Sequence, residues 1–151
     1  MKQSALLIML ILLCAVSAFP QLEKKVSATI YRGIVKQMVA DNAFTSDCVR
    51  EAGGATKAVT IEQEDLNRDG KPEFFVVGKS CGLGPRRADA WYYRKTGDGY
   101  EQILYVNQIE DIRKLKTRTK GYVNLKVTSS IGRDTFGGYT YKFDGRRYRE
   151  Q

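Results

Sequence analysis

AVTIE (residues 58–62) and EFFVVG (residues 73–78) enclose the polar segment EDLNRDGKP (residues 64–72), and the architecture of the chain follows from this stretch. The first run alternates apolar and polar residues, which is typical of a half-buried strand. The second is a short apolar run suited to a buried strand. Gly70 permits a sharp turn between them, because glycine has no Cβ to clash with the backbone. The stretch predicts two strands joined by a tight acidic loop.

Oxygen-bearing side chains recur along this loop at a spacing that suits a metal ion. Asp65, Asn67, Asp69 and Glu73 fall at positions 1, 3, 5 and 9 of it. A hard cation such as Ca²⁺ binds about six to eight oxygens at short range, and alternate residues of a curled loop can supply them. The alternative is a metal-free turn in which the Asp and Asn side chains accept hydrogen bonds from backbone N–H groups. Both interpretations make the loop structural.

The loop resembles the strand–loop–strand calcium loops of FG-GAP and VCBS-type repeats, which carry D-x-[DN]-x-D-G-x-x-[DE] before an apolar strand. Here the loop occurs once, as in a single-copy bacterial secreted domain of uncharacterised role. The resemblance implies calcium ligation by the side chains of Asp65, Asn67 and Asp69. It further implies ligation by the carbonyl of Lys71 and the carboxylate of Glu73. An EF-hand is excluded, because its position-12 glutamate is replaced by Val76 and strand-like runs flank the loop.

The remainder of the chain after residue 48 is also rich in strand patterns. Strand-like runs occupy residues 90–94, 100–106, 122–127 and 139–143, while residues 109–115 are ambiguous. Lys95–Gly99 predicts a hairpin, and Asp144-Gly145 predicts a type I′ turn. Before the strands, Leu22–Val39 carries apolar residues at every fourth position, which predicts a helix. The predicted class is α+β, with an N-terminal helix on a twisted, mainly antiparallel sheet of five to seven strands or over the end of a small sandwich.

The first 18 residues predict a secretory signal peptide. Lys2 precedes the apolar run ALLIMLILLCAV (residues 5–16), and Ala18 is a small residue suited to cleavage. An uncleaved anchor is the alternative, although the run is short for a membrane span. Residues 19–151 then form one domain, without a membrane span after cleavage. We expect a periplasmic or extracellular protein.

Two cysteines remain in the chain after this cleavage. In an oxidising compartment Cys48 and Cys81 predict one disulfide, which would stabilise the fold by about 3 to 4 kcal/mol on the chain-entropy model. Two separate buried thiols are the alternative. Two cysteines and no histidine also argue against a structural zinc site, which needs four Cys or His ligands.

The composition argues against catalysis and favours an anionic partner. The chain has no histidine, the commonest general base, and we therefore expect no enzyme and no catalytic residues. Its formal net charge is +8. A dense basic run is the candidate anion-binding site: Arg113, Lys114, Lys116, Arg118 and Lys120. Ordinary solvation of these charges is the competing interpretation.

The sequence therefore favours a secreted, non-enzymatic domain that binds an unknown protein or an anionic surface polymer. Nucleic acid is not expected as the partner, because an exported chain without a recognised binding motif gives no reason for it. The alternative function is a small secreted hydrolase that uses acidic residues near the loop.

Overall fold

The structure, a computed structural model, describes residues 26–43, 46–78, 88–131 and 135–151. The predicted signal peptide and Cys81 lie outside these residues, as does the start of the predicted helix at Leu22. The helices are α1 (Ala28–Ala40), α2 (Ser46–Glu51) and α3 (Ala55–Ala58). The strands are β1 (Val59–Glu64), β2 (Glu73–Gly78), β3 (Ala88–Lys95), β4 (Tyr100–Thr119), β5 (Tyr122–Ser130), β6 (Phe136–Phe143) and β7 (Tyr148–Glu150). Within the described ranges, none of the helices has the length and apolar character needed to cross a membrane.

The seven strands form one antiparallel sheet whose order follows the chain, from β1 to β7. Each strand pairs with its neighbours in sequence, so every sheet connection is a hairpin or a longer loop between adjacent strands. The acidic loop joins β1 to β2, where Glu64 pairs with Glu73 and Val59 with Gly78. The mainly antiparallel sheet predicted from the sequence is therefore present, together with a few short helices.

Strand β4 pairs with a different neighbouring strand along each of its two halves. Residues 100–109 pair with β3, and residues 109–119 pair with β5. The register shifts between Lys114 and Arg118 and again near Gln108, whose φ is 48°. Bulges of this kind bend a strand and increase its twist. One 20-residue strand thus contains both the run predicted at residues 100–106 and the ambiguous residues 109–115.

Helix α1 covers one end of the sheet through a conventional apolar stripe. Ile34, Val35 and Met38 are buried, and they pack in one cluster with residues of β1, β2 and β3 that include Trp91. Ser27 caps the helix by accepting a hydrogen bond from the N–H of Ile30. The helix begins at Ala28, because Ser27 satisfies that N–H from an extended conformation outside the helix.

Gly33 within α1 is explained by the same packing. A Cβ at Gly33 would lie 2.7 Å from Cε2 of Tyr100, so only glycine leaves room for that ring. The ring of Tyr100 in turn meets Phe74 edge-on at 5.6 Å. Glycine in a helix interior costs about 1 kcal/mol relative to alanine. The close approach between helix and sheet offsets this cost.

A second apolar cluster forms where β3 to β7 bend over the acidic loop. It contains Leu66 of the loop together with Tyr92, Tyr122, Leu125 and Phe143. The rings of Tyr122 and Phe143 stack at 3.9 Å, and Tyr148 meets Phe143 edge-on at 5.5 Å. The sheet therefore carries two cores, one beneath the helix and one around the loop.

Two turns have geometries that the local sequence did not fully predict. Gly145 has φ 111°, whereas Asp144 is not among the described residues with positive φ. Positive φ at the first central residue alone is the type II′ pattern, so the turn is centred one residue later than the predicted type I′ pair. The type I′ turn lies instead at Lys120 and Gly121, with φ 49° and 85°, between β4 and β5.

Candidate functional site

The acidic loop is closed by hydrogen bonds between its own side chains and its own backbone. Asp65 accepts from the N–H groups of Arg68 and Gly70, at 2.6 and 3.0 Å. Asn67 accepts from the N–H of Asp69 at 2.9 Å, and Asp69 accepts from the N–H of Lys71 at 2.7 Å. Gly70, at φ 80°, and Arg68, at φ 65°, supply the left-handed residues that let the chain turn so tightly.

Glu73 anchors the end of this loop from inside the protein. Its side chain is 3% exposed. One carboxylate oxygen accepts from the N–H of Leu66 at 2.8 Å, and the other accepts from the hydroxyl of Tyr122 at 3.1 Å. Burial raises the pKa of Glu73, and the hydrogen bonds from Leu66 and Tyr122 oppose that rise. The carboxylate joins the loop to strand β5.

The carbonyl of Leu66 provides the second attachment between the loop and the β4–β5 hairpin. It accepts from the N–H of Val123 at 2.9 Å and from the guanidinium of Arg118 at 3.0 Å. Arg118 also donates to the carbonyl of Gly121 at 2.7 Å, so one side chain holds both the loop and the hairpin turn. Leu66 itself is 1% exposed and forms part of the second core.

The predicted metal ligands are therefore gathered in one loop, in the arrangement of a self-capped turn. Asp65, Asn67 and Asp69 turn side-chain oxygens toward backbone N–H groups, and Glu73 is engaged with Leu66 and Tyr122. Across the described part of the chain, no three His, Cys, Asp or Glu side chains are placed to hold a metal ion. Calcium binding by Asp65, Asn67, Asp69, Lys71 and Glu73 stays a prediction of the sequence.

The predicted disulfide is not tested by this geometry. Cys48 lies on α2 and packs against the first core, whereas Cys81 is outside the described residues.

The residues of the predicted basic run have different partners, and Arg113 lies on the face opposite that of Lys114. Lys114 pairs with Glu64 of β1 at 3.2 Å. Arg118 is occupied by the carbonyls of the acidic loop and the turn, and Lys120 occupies that turn. Lys116 falls within the irregular segment of β4, between residues 114 and 118.

Arg113 instead joins three basic residues of β5, β6 and β7. Directly opposed residues of an antiparallel sheet lie on the same face, and so do residues two apart along a strand. Arg113 pairs with Lys126, which pairs with Thr140, and Lys142 pairs with Arg149. Because Lys142 is two residues beyond Thr140, all four basic residues share one face, opposite the second core. We call Arg113, Lys126, Lys142 and Arg149 the basic face.

The basic face contains two pairs of like charges opposed across strands, Arg113 with Lys126 and Lys142 with Arg149. Such pairs destabilise a sheet. Asp111 pairs with Arg113, and Asp144 pairs with Arg149 at 3.1 Å, so two carboxylates border the four cations. The Lys126 ammonium lies 3.1 Å from the carbonyl of Gly138. A net positive charge is thus held on a solvent-facing surface.

A polar groove of about 390 Å³ lies apart from both features. It runs between α1, the start of β4 and the β6–β7 turn, and Asp41 and Glu101 contribute carboxylates to its wall. Glu101 is paired with Arg94 at 2.7 Å and with Arg146 at 3.7 Å, while Asp41 accepts from the amide of Gln37 at 2.8 Å. Both carboxylates are thus engaged in structural contacts.

Searches against models of protein families, against curated proteins and against solved structures returned no match to this chain.

Lys126 and Lys142 were not among the predicted site residues, although the sequence pattern around them indicates their exposure. They occupy polar positions of the alternating runs YVNLKV and YTYKF, whose apolar residues face the core. Alternation alone places each lysine on an outer face. Only the pairing of β5 with β6 brings the two faces together.

Proposed function

We propose that this protein is a secreted, non-enzymatic binding domain whose basic face takes up an anionic partner. The observation that carries the proposal is the pair of like-charge oppositions on that face, Arg113 with Lys126 and Lys142 with Arg149. An anion that lies between opposed cations relieves the repulsion between them. Binding of an anion to this face is therefore more favourable than binding to an uncharged surface. Export to the periplasm or the cell exterior is part of the proposal and rests on the apolar run at the start of the sequence.

The class that accompanies this function is α+β, with the N-terminal helix packed on the sheet. The acidic loop serves as a structural connector in the proposal. Its contacts with Tyr122, Val123 and Arg118 support that role, because they fix the hairpin from which β5 enters the basic face. Calcium, if bound, would strengthen the same connector through Asp65, Asn67 and Asp69.

The experiment is retention of the full chain on heparin across a salt series. We expect the double variant Lys126→Gln/Lys142→Gln to elute at clearly lower salt than the wild type, since charge contacts of this kind are screened by salt. The matched control is Lys36→Gln/Lys57→Gln, which removes the same charge from exposed positions on α1 and α3. Equal shifts for the two double variants would refute a specific role for the basic face and leave only general net charge.

The hydrolase alternative uses the carboxylates near the acidic loop. The hydrogen bonds of Asp65 and Glu73 to backbone N–H groups count against it, because a general acid or base must be able to reach substrate. Hydrolysis of a glycan or ester panel that disappears in Asp65→Asn, with the fold intact by circular dichroism, would favour the hydrolase.

A further inference from the structure

We propose that the anionic partner is an extended acidic polypeptide, which adds as a further strand along the N-terminal half of β6. This inference rests on the proposed function of the basic face and identifies the chemical class of its partner.

The outer edge of β6 is paired over only part of its length. Strand β7 pairs with residues 141–143, and the N–H of Gln151 donates to the carbonyl of Thr140 at 2.9 Å. Among the described residues, no strand pairs with this edge between Phe136 and Tyr139. Backbone groups alternate in direction along a strand, so Phe136 and Gly138 point outward as Thr140 does. The N–H groups of Phe136 and Gly138 and the carbonyl of Phe136 are therefore available for pairing, whereas the carbonyl of Gly138 already accepts from the Lys126 ammonium.

The sequence of this edge lacks the usual protection against strand addition. Exposed edges are commonly guarded by charged residues, proline or bulges. The segment FGGYT, residues 136–140, has none of these. The ring of Tyr139 lies against Gly137 and the side chain of Lys126 lies against Gly138, so the edge is open in the plane of the sheet and covered at the two glycines on its faces. Gly138 is exposed, and Phe136 is 54% exposed.

Charge selects an acidic strand for this edge. The Lys126 side chain runs beneath Gly138, where an added Cβ would lie 3.3 Å from its Cε, and its ammonium reaches the Gly138 carbonyl. A partner residue opposite Gly138 would lie on the same face, within reach of that ammonium. A residue opposite Phe136 would lie on the same face, against an exposed ring. The expected partner motif is one acidic and one apolar residue separated by a single position.

The mode of binding is β-augmentation, in which main-chain hydrogen bonds supply affinity and alternate side chains supply specificity. It differs from adsorption of a flexible polyanion in one measurable respect. Strand addition requires the N–H groups of the partner backbone, whereas a sulfated glycan of equal charge binds through the cations alone.

The test uses the full chain and a synthetic nonapeptide in which Glu and Val alternate at every second position with Thr between them, measured by fluorescence anisotropy at low and moderate salt. The decisive comparison is with the same peptide N-methylated on the alternate residues that would face β6. Methylation removes partner donors without altering the protein or the charge. Loss of backbone hydrogen bonds predicts binding weaker by about tenfold or more. A Gly138→Pro variant, which removes one outward N–H, is expected to weaken binding of the unmodified peptide in the same direction.

Three results would overturn the inference. Equal binding of methylated and unmethylated peptides would exclude strand addition while leaving charge-driven binding, and hence the proposed function, intact. A heparin oligosaccharide of matched charge that binds more tightly than the peptide would identify a glycan as the partner class. A concentration-dependent dimer that fails to form in Gly138→Pro, with no peptide binding, would assign the edge to a second copy of the chain. If Lys126→Gln/Lys142→Gln leaves binding of both probes unchanged, the proposed function itself fails.

Discussion

Glu73 offers the sharpest test of how the acidic loop is held. Replacing it by alanine would leave two buried donors, the N–H of Leu66 and the hydroxyl of Tyr122, without their acceptor. Each buried group that loses its partner costs about 1–3 kcal/mol. We expect Glu73→Ala to lower the free energy of unfolding by about 2–6 kcal/mol if both donors stay unpaired, and by about 1–3 kcal/mol if Tyr122 finds another acceptor.

Glu73→Gln is the matched control, because it keeps one carbonyl oxygen for Leu66 and can donate its amide to the Tyr122 hydroxyl. We expect it to change stability by less than about 1 kcal/mol. Urea unfolding followed by fluorescence suits both variants, since Trp91 is the single tryptophan of the chain and is 2% exposed. A loss below about 1 kcal/mol in Glu73→Ala would refute the anchoring role.

The same pair of proteins yields a pH dependence with a defined sign. Burial raises the pKa of Glu73 in the folded state above its ordinary value of 4.5. The folded carboxyl then holds its proton more tightly than the unfolded one, so its contribution favours folding most below pH 4.5. That contribution falls as pH rises through the raised pKa. We therefore expect the stability of Glu73→Gln relative to the wild type to increase with pH across this window, and a decrease would contradict the reasoning.

Three further changes probe the loop and its attachments. Arg118→Ala should lower the free energy of unfolding by about 1–2 kcal/mol, because it removes the donor to the carbonyls of Leu66 and Gly121. The control Lys116→Ala, at an exposed position, should change it by less than about 0.5 kcal/mol. Equal effects of the two variants in urea unfolding would count against attachment of the loop by Arg118. Asp65→Ala removes two caps of the loop and should lower the melting temperature in the absence of metal, and an unchanged melting temperature would mean that the caps do not hold the turn. Millimolar Ca²⁺ distinguishes the two interpretations of the loop: a rise in the wild-type melting temperature that disappears in Asp65→Ala would establish calcium binding, and an unchanged melting temperature would favour the metal-free turn.

Much of the sheet could be predicted because its signals are local. The alternation of residues 58–62 and the apolar run at residues 73–78 correspond to β1 and β2, and the predicted Lys95–Gly99 connection does join β3 to β4. The continuity of β4 could not be predicted, because a polar pair at residues 107 and 108 interrupts its pattern. Pairing with two different partners carries the strand through that interruption.

The same distinction between local and long-range contacts separates the candidate site that could be predicted from the one that could not. The acidic loop is visible in the sequence, because its hydrogen bonds join residues two to five positions apart. The basic face is not visible, because its four residues come from four strands and meet only through pairing. The prediction rested on the dense run at residues 113–120, yet Lys114 pairs with Glu64 and Arg118 donates to carbonyls of the loop and the turn, while Arg113 joins the basic face.

The sequence by itself determined several of the strands, the position of the acidic loop and of the β3–β4 turn, and the excess of positive charge, because these depend on neighbouring residues and on composition. Only the tertiary structure decided that Glu73 and the carbonyl of Leu66 fasten the loop to the β4–β5 hairpin, and which cations share a surface. The physical reason is that strand pairing brings together residues far apart in the chain, and its bulges fix the register that assigns each side chain to the core or to the solvent.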